Sequence, residues 1–534
     1  MTEKIYVVFE IALLAAIFLT NIDSVTFANP KTNTNTWIVA KDGTGNFSTI
    51  YEAVSNDNVS TGDVIFVRTG LYAENLVISK SISLIGEDPD STIICGDGVK
   101  SVIHINADDV KIINFTITGS GTLLSHSAIY VNSSSRITIS YNKITGNNNG
   151  ISLFSSVDDL ILGNTIKNNS LYGIFSAALR NSSIINNTII NNGKGIVFYT
   201  STDNYIVSNT IKNSASEGIY LYTSSDNVIY HNNFQNTQQA WSDAPNIWDY
   251  AGEGNYWSNY KGSDFYKGLY QNETGSDGIG DEPYIIDKYN YDHFPLMGTC
   301  LLYDINFEAE NYQLILISNS TISNFSFRVS METGNKVISF NVVGDDDSVG
   351  FCRVSIPTQL MNYTIIILVD YEEVAPALLS STETYMNIYF AYTQSIHTVT
   401  MISSRTLALY SALLAEHIQL QEKFSSLNAS YYELLNNTLS LLTLYDALLA
   451  EHIQLQEKFS SLNASYYELL NNTLSLLNDY QQLRNNYTEL YNFYSELLRR
   501  HNENSQNIQA LVYAFITAIT IFTAVTIYLS KQHV

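Results

Sequence analysis

The stretch "NNGISLFSSVDDLILGNTIKNNS", from Asn148 to Ser170, recurs in varied form every 22 or 23 residues between about residues 129 and 240. In every copy one asparagine keeps its place, with an apolar residue three positions before it and another two positions after it. These ladder asparagines are Asn142, Asn164, Asn187, Asn209 and Asn232. Because so short a repeat leaves no room for a helix between strands, we predict that each copy forms one coil of a parallel β-solenoid.

Residues at the same place in successive coils stack at about 4.8 Å, the spacing of neighbouring strands. Stacked isoleucines such as Ile161 and Ile184 then fill the interior. The aligned asparagine amides pair with each other and with the turn backbone, so no buried amide lacks a partner. We therefore interpret the asparagine ladder as structural and assign no catalytic role to it.

The repeats resemble the NosD-type family of right-handed parallel β-helices over residues 37–297, including "GNYWSNY" from Gly254 and the closing "DGIGDEPYIID" and "FPLM". The resemblance implies that fold, and places similar repeats on many archaeal surface proteins. The family takes its name from a copper-enzyme maturation factor. No cluster of His, Cys and Met is visible in this sequence, so a copper-related role is the second alternative.

The first coils, "WIVAKDGTGNFSTIYEAV" from Trp37 and "VIFVRTGLYAENLVI" from Val64, resemble the opening of pectin methylesterases. That family implies paired aspartates, glutamines and an arginine on one face of later coils, and these are not found. We identify no catalytic residue, so the sequence leaves enzymatic activity uncertain and favours its absence. A polysaccharide-binding or polysaccharide-cleaving β-helix is the first alternative.

Two further groups near the end of the repeats are candidate binding residues. Three aspartates among glycines can wrap Ca²⁺, the one cofactor that the sequence suggests: Asp277, Asp281 and Asp287. Four aromatic residues can stack on sugar rings or, alternatively, cover the last coil as a hydrophobic cap: Trp248, Tyr256, Trp257 and Tyr260. Asp203 and Asp226 occupy one place in neighbouring coils, where turn chemistry competes with a weak Ca²⁺ or polysaccharide site.

Beyond the repeats the period of the sequence changes twice. Residues 301–402 alternate as strands, and we predict a small β-sandwich there. Over 407–500 leucine recurs every seven residues from Leu413 to Leu497, with aromatic residues four positions after most of the leucines. This spacing predicts a coiled-coil stalk that associates with itself in parallel, with three or four strands preferred over two. The stretch "AEHIQLQEKFSSLNASYYELL" occurs twice, 35 residues or five heptads apart, so the repeat lengthens the stalk without changing its register.

The two ends of the chain are apolar. Residues 1–28 are typical of an export signal. Residues 510–529 carry no charge over twenty positions, enough for one transmembrane helix of roughly 30 Å, with 530–534 as a cytoplasmic tail. About sixteen Asn-x-Ser/Thr sequons suit a glycosylated outer surface. The glycosylation candidates include Asn132, Asn186, Asn324, Asn436, Asn471 and Asn486.

Composition limits the class of partner. The 51 acidic residues outnumber 26 Lys and Arg, for a net charge of -25, which excludes a surface built to neutralise nucleic-acid phosphates. Three cysteines allow one disulfide at most. We therefore expect a mostly β protein with a long α stalk, anchored by a single membrane span with its N-terminal bulk outside. It would act as a glycosylated scaffold, adhesin or surface-layer anchor of archaeal type, with a surface-layer protein or a polysaccharide as partner.

Overall fold

A computed structural model of the chain describes residues 34–268, 270–361, 365–403, 405–448, 455–501, 519–520 and 523. The predicted signal segment 1–28 and the tail 530–534 lie outside these residues, as does nearly all of the predicted membrane span 510–529. Within the described part, no helix combines the length and the apolar character needed to cross a membrane.

Residues 34–257 confirm the predicted parallel β-helix, a right-handed solenoid of short strands. One helix, α1 (Ile50–Ser55), lies near its start. The early strands are β1 (Thr36–Val39), β2 (Val64–Val67), β3 (Gly70–Ala73), β4 (Leu76–Ile78), β5 (Ser83–Gly86), β6 (Thr92–Cys95), β7 (Ile103–Ile105), β8 (Lys111–Ile113), β9 (Thr116–Thr118), β10 (Ser127–Asn132), β11 (Thr138–Ser140) and β12 (Lys143–Thr145). The later strands are β13 (Asn149–Phe154), β14 (Leu160–Leu162), β15 (Thr165–Lys167), β16 (Tyr172–Ala177), β17 (Ser183–Ile185), β18 (Thr188–Ile190), β19 (Lys194–Tyr199), β20 (Tyr205–Val207), β21 (Thr210–Lys212), β22 (Glu217–Tyr222), β23 (Val228–Tyr230), β24 (Asn233–Gln235), β25 (Gln238–Ser242) and β26 (Tyr256–Trp257).

Each coil adds one strand to each of three sheets. The first sheet runs β1-β2-β5-β8-β11-β14-β17-β20-β23, the second β3-β6-β9-β12-β15-β18-β21-β24-β26, and the third β4-β7-β10-β13-β16-β19-β22-β25. The register keeps like residues adjacent, so that Ile166 pairs with Ile189 and Ile189 with Ile211. These isoleucines are fully buried and belong to one continuous apolar core.

The ladder asparagines close the turn between the first and second sheets. The backbone N–H of Asn164 donates to Oδ1 of Asn187 at 2.9 Å, and Nδ2 of Asn164 donates to the carbonyl of Ile139 at 2.8 Å. The ladder extends beyond the predicted five to Asn255 and ends on Asp292, whose Oδ2 accepts the Asn255 N–H at 2.7 Å. The side-chain amides of this ladder therefore find their hydrogen-bond partners within the interior.

Two further ladders at the other turns were not predicted. Between the second and third sheets lie Asn147, Asn169 and Asn192, and between the third and first lie Asn204, Asn227 and Asn246. Their amides bond the backbone of the preceding coil as in the first ladder. All three corners of the solenoid therefore use the same hydrogen-bonding device.

The ends of the solenoid are covered. At the start, α1 places Ile50, Ala53 and Val54 against the apolar core, and Thr49 caps the helix. At the far end the chain forms the short strands β27 (Tyr266–Lys267), β28 (Glu273–Thr274), β29 (Tyr284–Ile285) and β30 (Tyr291–Asp292). These covers keep the core's apolar ends and open sheet edges from water.

The region predicted as a β-sandwich contains two five-stranded sheets. Its strands are β31 (Thr299–Phe307), β32 (Glu310–Ser318), β33 (Thr321–Val329), β34 (Lys336–Val343), β35 (Val349–Pro357), β36 (Ile365–Val369), β37 (Glu372–Val374), β38 (Ala377–Ser381), β39 (Tyr385–Thr393) and β40 (Ile396–Ser403). One sheet runs β31-β32-β35-β39-β38 and the other β33-β34-β40-β36-β37. The sandwich itself stays a prediction.

The chain divides into two compact units. The first, Met1–Thr321 with Val343–Leu360 and Pro376–Ser395, holds the solenoid and the sheet that contains β35. The second, Ile322–Val342 with Met361–Ala375 and Ile396–Val534, holds the sheet that contains β40 and two long helices, α2 (Arg405–Leu448) and α3 (Leu455–His501). The helices agree with the helical prediction for 407–500, and the coiled coil stays a prediction.

Candidate functional site

The outer face of the third sheet carries a continuous row of aromatic side chains. We call this row the aromatic strip; its members are Tyr130, Phe154, Phe175, Tyr199, Tyr220, Tyr222 and Trp241. The strip crosses six strands, β10 to β25, which at about 4.8 Å per strand is about 24 Å. Most of its rings are half-buried, and Tyr222 is 44% exposed.

The aromatic residues alternate between two outward places along the strands. In β13 the ring is Phe154 while Ser152 holds the other place, and in β16 the ring is Phe175 while Ala177 holds the other. Val197, in the place between the rings of Phe175 and Tyr220, is only 1% exposed. Phe154 and Phe175 thus each lie beside a smaller side chain on the next strand, Ala177 and Val197, which keeps this part of the strip close-packed.

Neighbouring rings of the strip are in contact. Tyr130 lies 5.2 Å from Phe154 between ring centroids, and Phe175 lies 5.7 Å from Tyr199. At the far end Tyr220 and Trp241 stack at 4.5 Å with an interplanar angle of 11°. These separations are within the range of favourable aromatic pairs, so the rings hold one another in place.

A single ion pair borders the strip. Nζ of Lys194 lies 2.5 Å from Glu217 and 4.1 Å from the ring centroid of Tyr220. Burial alone would raise the pKa of Glu217, but hydrogen bonds from Lys194 and Ser216 outweigh it and leave that pKa lowered. Glu217 is the only carboxylate in strands β10, β13, β16, β19 and β22, and it is ionised and paired. These five strands therefore supply one carboxylate, whereas acid–base cleavage of a glycosidic bond uses two. A further carboxylate, that of Asp243 just after β25, lies close enough to the strip for its charge to raise the pKa of Tyr220.

A cleft of about 280 Å³ opens where the strip begins. Tyr130 forms part of its lining, together with His104, whose ring meets that of Tyr130 edge-on at 4.9 Å. Lys100 and His126 come from the loops beside β7 and β10. The row of rings therefore runs directly into a pocket.

The predicted sugar-stacking residues do not form this surface. Trp248 and Trp257 are each 1% exposed, and Trp257 stacks between Phe234 at 4.5 Å and Tyr284 at 4.3 Å. Tyr260 is partly buried and donates its hydroxyl to the carbonyl of Glu282 at 2.6 Å, and Tyr256 is partly buried in β26. The burial of Trp248 and Trp257 favours the alternative that the sequence also allowed, a cap over the last coil, and sugar binding by the four aromatic residues stays a prediction.

The structure does not assemble the predicted Ca²⁺ site. Asp277 accepts from the N–H of Gly268 at 3.1 Å, Asp281 accepts from Phe265 at 2.7 Å, and Asp287 accepts from Tyr289 at 2.7 Å. Each carboxylate thus closes its own loop. Asp203 and Asp226, with φ near +60°, lie in left-handed turns, in agreement with turn chemistry.

A buried charged cluster joins the end of the solenoid to β35. Arg353 donates to Glu253 at 2.6 Å and lies 3.6 Å from Asp277, while His231 lies 2.6 Å from Glu253. Burial of Glu253 would raise its pKa, but the Arg353 and His231 charges hold it well below its usual range. Because every member is paired, we interpret the cluster as a structural clamp within the first unit.

The resemblance to the NosD-type family raises the question of copper, which favours grouped His, Cys or Met ligands. Across the described residues, no group of three or more His, Cys, Asp or Glu side chains is arranged to hold a metal ion. The three cysteines are free thiols, and burial raises the pKa of Cys352 to about 12 and that of Cys300 well above its usual value. A thiolate is the metal-binding form, so Cys300 and Cys352 do not suit a copper site.

Residues 56–262 match the family model described as "Periplasmic copper-binding protein (NosD)". Among curated proteins, a probable pectinesterase/pectinesterase inhibitor from Arabidopsis thaliana is 46% identical over 70 residues. That match covers 13% of this chain and 13% of the Arabidopsis protein, so the chain spans about an eighth of that relative.

Solved structures with similarity to this chain include two pectin-related enzymes. A pectin methylesterase from Erwinia chrysanthemi aligns with 39% of this chain and 67% of its own, at 18% identity and a TM-score of 0.23. A pectate lyase aligns with 46% of this chain and 97% of its own, at 14% identity and a TM-score of 0.29.

Sequence reasoning missed the aromatic strip because no single place in the repeat is always aromatic. A signal was nevertheless present. An aromatic residue lies four positions after Gly150, two after Gly173, four after Gly195 and two after Gly218. Reading pairs of coils together would have placed one ring per strand on the outer face of the third sheet.

Proposed function

We propose that this protein binds a polysaccharide along the outer face of the third sheet. The aromatic strip carries the proposal. Its rings repeat at the strand spacing of about 4.8 Å, which is close to the length of one sugar unit in an extended chain. Partly exposed rings offer apolar faces to sugar C–H groups, and the tyrosine hydroxyls add polar contacts.

The proposal is for binding without cleavage. Glycoside hydrolysis requires two carboxylates roughly 5 to 10 Å apart, one of them able to carry a proton. The five strands from β10 to β22 supply only Glu217, whose lowered pKa and ion pair with Lys194 suit a fixed anion. The charge pair would instead hydrogen-bond sugar hydroxyls at the edge of the strip.

The binding test uses the full chain, mixed with a panel of insoluble polysaccharides and then titrated by calorimetry with soluble fragments of those it retains. The double substitution Phe175→Ala with Tyr199→Ala removes two central rings and should weaken binding by at least tenfold, as the loss of central aromatic anchors does at other interfaces. Tyr51→Ala is the matched control, because Tyr51 is 59% exposed but lies on α1, off the strip. Retention of no polysaccharide, or equal binding by the double variant and the parent, would refute the proposal.

A second candidate function, display at a cell surface as a glycosylated scaffold, adhesin or surface-layer anchor, is favoured by the long helices. Leucines at heptad spacing on α2 and α3 are solvent-exposed in a single chain, among them Leu427 at 59% and Leu441 at 63%. Such a row is stable in water when it packs against other copies. We infer a parallel coiled-coil stalk of three or four chains, with 510–529 in the membrane. Asn132, Asn324 and Asn436, each in a sequon, are exposed and could carry glycans, which supports the proposal that the solenoid lies outside the cell.

Disulfide trapping in the full chain tests the stalk. Leu434→Cys puts a thiol on the leucine row, and mild oxidation should link chains as dimers on a non-reducing gel. Asn436→Cys, two residues on and away from the row, is the matched control and should give few links. Equal cross-linking at both positions, or none at either, would contradict a specific coiled coil.

A further inference from the structure

The cleft at the start of the strip has a different chemistry from the strip itself. Its lining includes Lys100, His104, His126 and the ring of Tyr130 but no Asp or Glu. In a chain with a net charge of -25, a pocket lined by a lysine and two imidazoles without an acid stands apart. The charge of Lys100 therefore favours an anion there, and screening over about 8 Å at physiological salt limits the influence of distant acids.

The nearest carboxylates are turned elsewhere. Asp97 accepts the N–H of Val99 at 2.9 Å, and its pKa is lowered by that bond and by the charge of Lys100. Glu74 accepts the N–H of Tyr51 at 2.7 Å, at the first turn of α1. In the described part of the chain, no carboxylate forms an ion pair with the ammonium group of Lys100. The cleft therefore presents a lysine ammonium group that has no ion-pair contact among the described residues, with the charge of Asp97 as its neighbour.

An unpartnered imidazole nitrogen accompanies that cation. Nε2 of His104 is buried and has no hydrogen-bond partner among the described residues. Burial lowers the pKa of His104, so its ring is neutral near pH 7 and the nitrogen can donate to or accept from a ligand. Since buried polar atoms are almost always hydrogen-bonded, this atom marks a place for a ligand group.

Ser125 and His126, at the end of the loop 119–126, line the cleft. Nδ2 of Asn148 and Nδ2 of Asn149 donate to the carbonyls of Leu123 and Leu124, each at 2.7 Å, and so tie the loop to β13 and the turn before it. On the other side the third sheet ends at β4, whose Val77 lines the cleft. A chain lying on the strip and running past Tyr130 therefore reaches a pocket beside the end of the sheet.

We propose that the cleft binds the terminal unit of the polysaccharide through an anionic group on that sugar, with Lys100 pairing with the anion and His104 forming a hydrogen bond to it. The inference rests on the proposed function, because the rest of the sugar chain would lie on the strip. Carboxylate, sulfate and phosphate share the required chemistry. The volume of about 280 Å³ suits a small group such as one sugar, since pockets for drug-sized ligands are roughly 300–1000 Å³.

The test is an array of oligosaccharides that share one backbone, taken from a polysaccharide that the full chain retains. Its members are neutral throughout, or carry one carboxylate, sulfate or phosphate on either the terminal or an internal sugar. The parent protein should bind a terminally anionic member at least tenfold better than the neutral one, and the three anion types identify the group. Equal binding of terminal and internal anions, or no preference for anions, would overturn the inference.

Two substitutions connect that preference to the cleft. Lys100→Gln should reduce the preference for the terminal anion to near the neutral level, while Lys111→Gln, an exposed lysine on the first sheet, should leave it unchanged. His104→Phe keeps a ring against Tyr130 but removes the nitrogen, and should weaken only the anionic glycans. Thermal melts would verify that each variant is folded. If the neutral glycan still binds and the anion preference is absent, the cleft inference fails alone; if no glycan binds at all, the proposed function fails with it.

Discussion

The interior and the outer face of the same solenoid follow opposite rules. Inside, one place in the repeat holds one residue type through the central coils, as with Asn164, Asn187 and Asn209. On the outer face of the third sheet no place is uniform, and the rings of Phe154, Phe175 and Tyr199 alternate between two places. Uniformity suits a hydrogen-bonded or close-packed stack, whereas alternation spreads bulky rings so that each covers a smaller neighbour. Substitutions on the two surfaces should therefore differ in what they damage.

The largest expected effect is the loss of an interior isoleucine. Ile189→Ala leaves a cavity between Ile166 and Ile211 and should lower the free energy of unfolding by about 4 kcal/mol. Ile190→Ala, on the same strand but facing outward and only partly buried, is the matched control and should cost about 1 kcal/mol. Urea denaturation of the full chain measures both, and similar losses for the two would contradict the division between interior and exterior.

A ladder asparagine should be next in effect. Asn187→Ala removes the acceptor of the Asn164 N–H and the donor to the carbonyl of Ile161, leaving buried polar groups unpaired. Such a loss should cost about 3 kcal/mol. Asn58→Ala, at an exposed asparagine, should change stability by less than about 0.5 kcal/mol. If both variants melt at the temperature of the parent, the ladder does not stabilise the fold.

These interior features are the part of the molecule that could be predicted from sequence. The ladder was visible because stacking forces like residues into register, so a 22- or 23-residue spacing of Asn and Ile repeats in the chain itself. The role of Trp248 stayed open in the sequence, because a tryptophan that caps a core and one that meets a sugar look alike until burial is known. The strip and the cleft could not be predicted in this way, because they depend on which side chains share an outer face and on loops that come from different coils.

An exception inside the ladder between the third and first sheets offers a pH test. Asp159 is 2% exposed, and its Oδ1 accepts the N–H of Ile137 while Oδ2 has no partner among the described residues. Burial raises the pKa of Asp159 to about 7, and repulsion from Asp158 and Asp108 acts in the same direction. The folded state thus holds a proton that the unfolded chain releases near pH 4. Stability from this group is present below about pH 4 and is lost as pH rises to about 7.

Asp159→Asn places the amide found at Asn204 and Asn227 into that ladder and removes the titration. The stability of the variant relative to the parent should rise by about 2 kcal/mol between about pH 5.5 and about pH 8. Asp203→Asn, at an exposed turn aspartate, should show no such rise. Urea denaturation at the two pH values measures the difference, and a gap independent of pH would show that Asp159 is ionised throughout.

The smallest effect on stability, and the sharpest test of the outer face, comes from moving one ring between the two places. Exchanging Phe175→Ala with Ala177→Phe keeps the composition of β16 but puts three rings in one place, at 154, 177 and 199. Ser152 and Val197 then each lose one of their two neighbouring rings. Ring packing of this kind is worth about 1 kcal/mol, so the exchange should lower stability by about that amount. It should also weaken polysaccharide binding, because three rings then crowd into one line and the alternating row is broken. Ser152→Ala is the control, because it leaves every ring in place. If the exchanged protein is as stable as the parent and binds polysaccharide equally well, then the surface requires a number of rings and not their alternation.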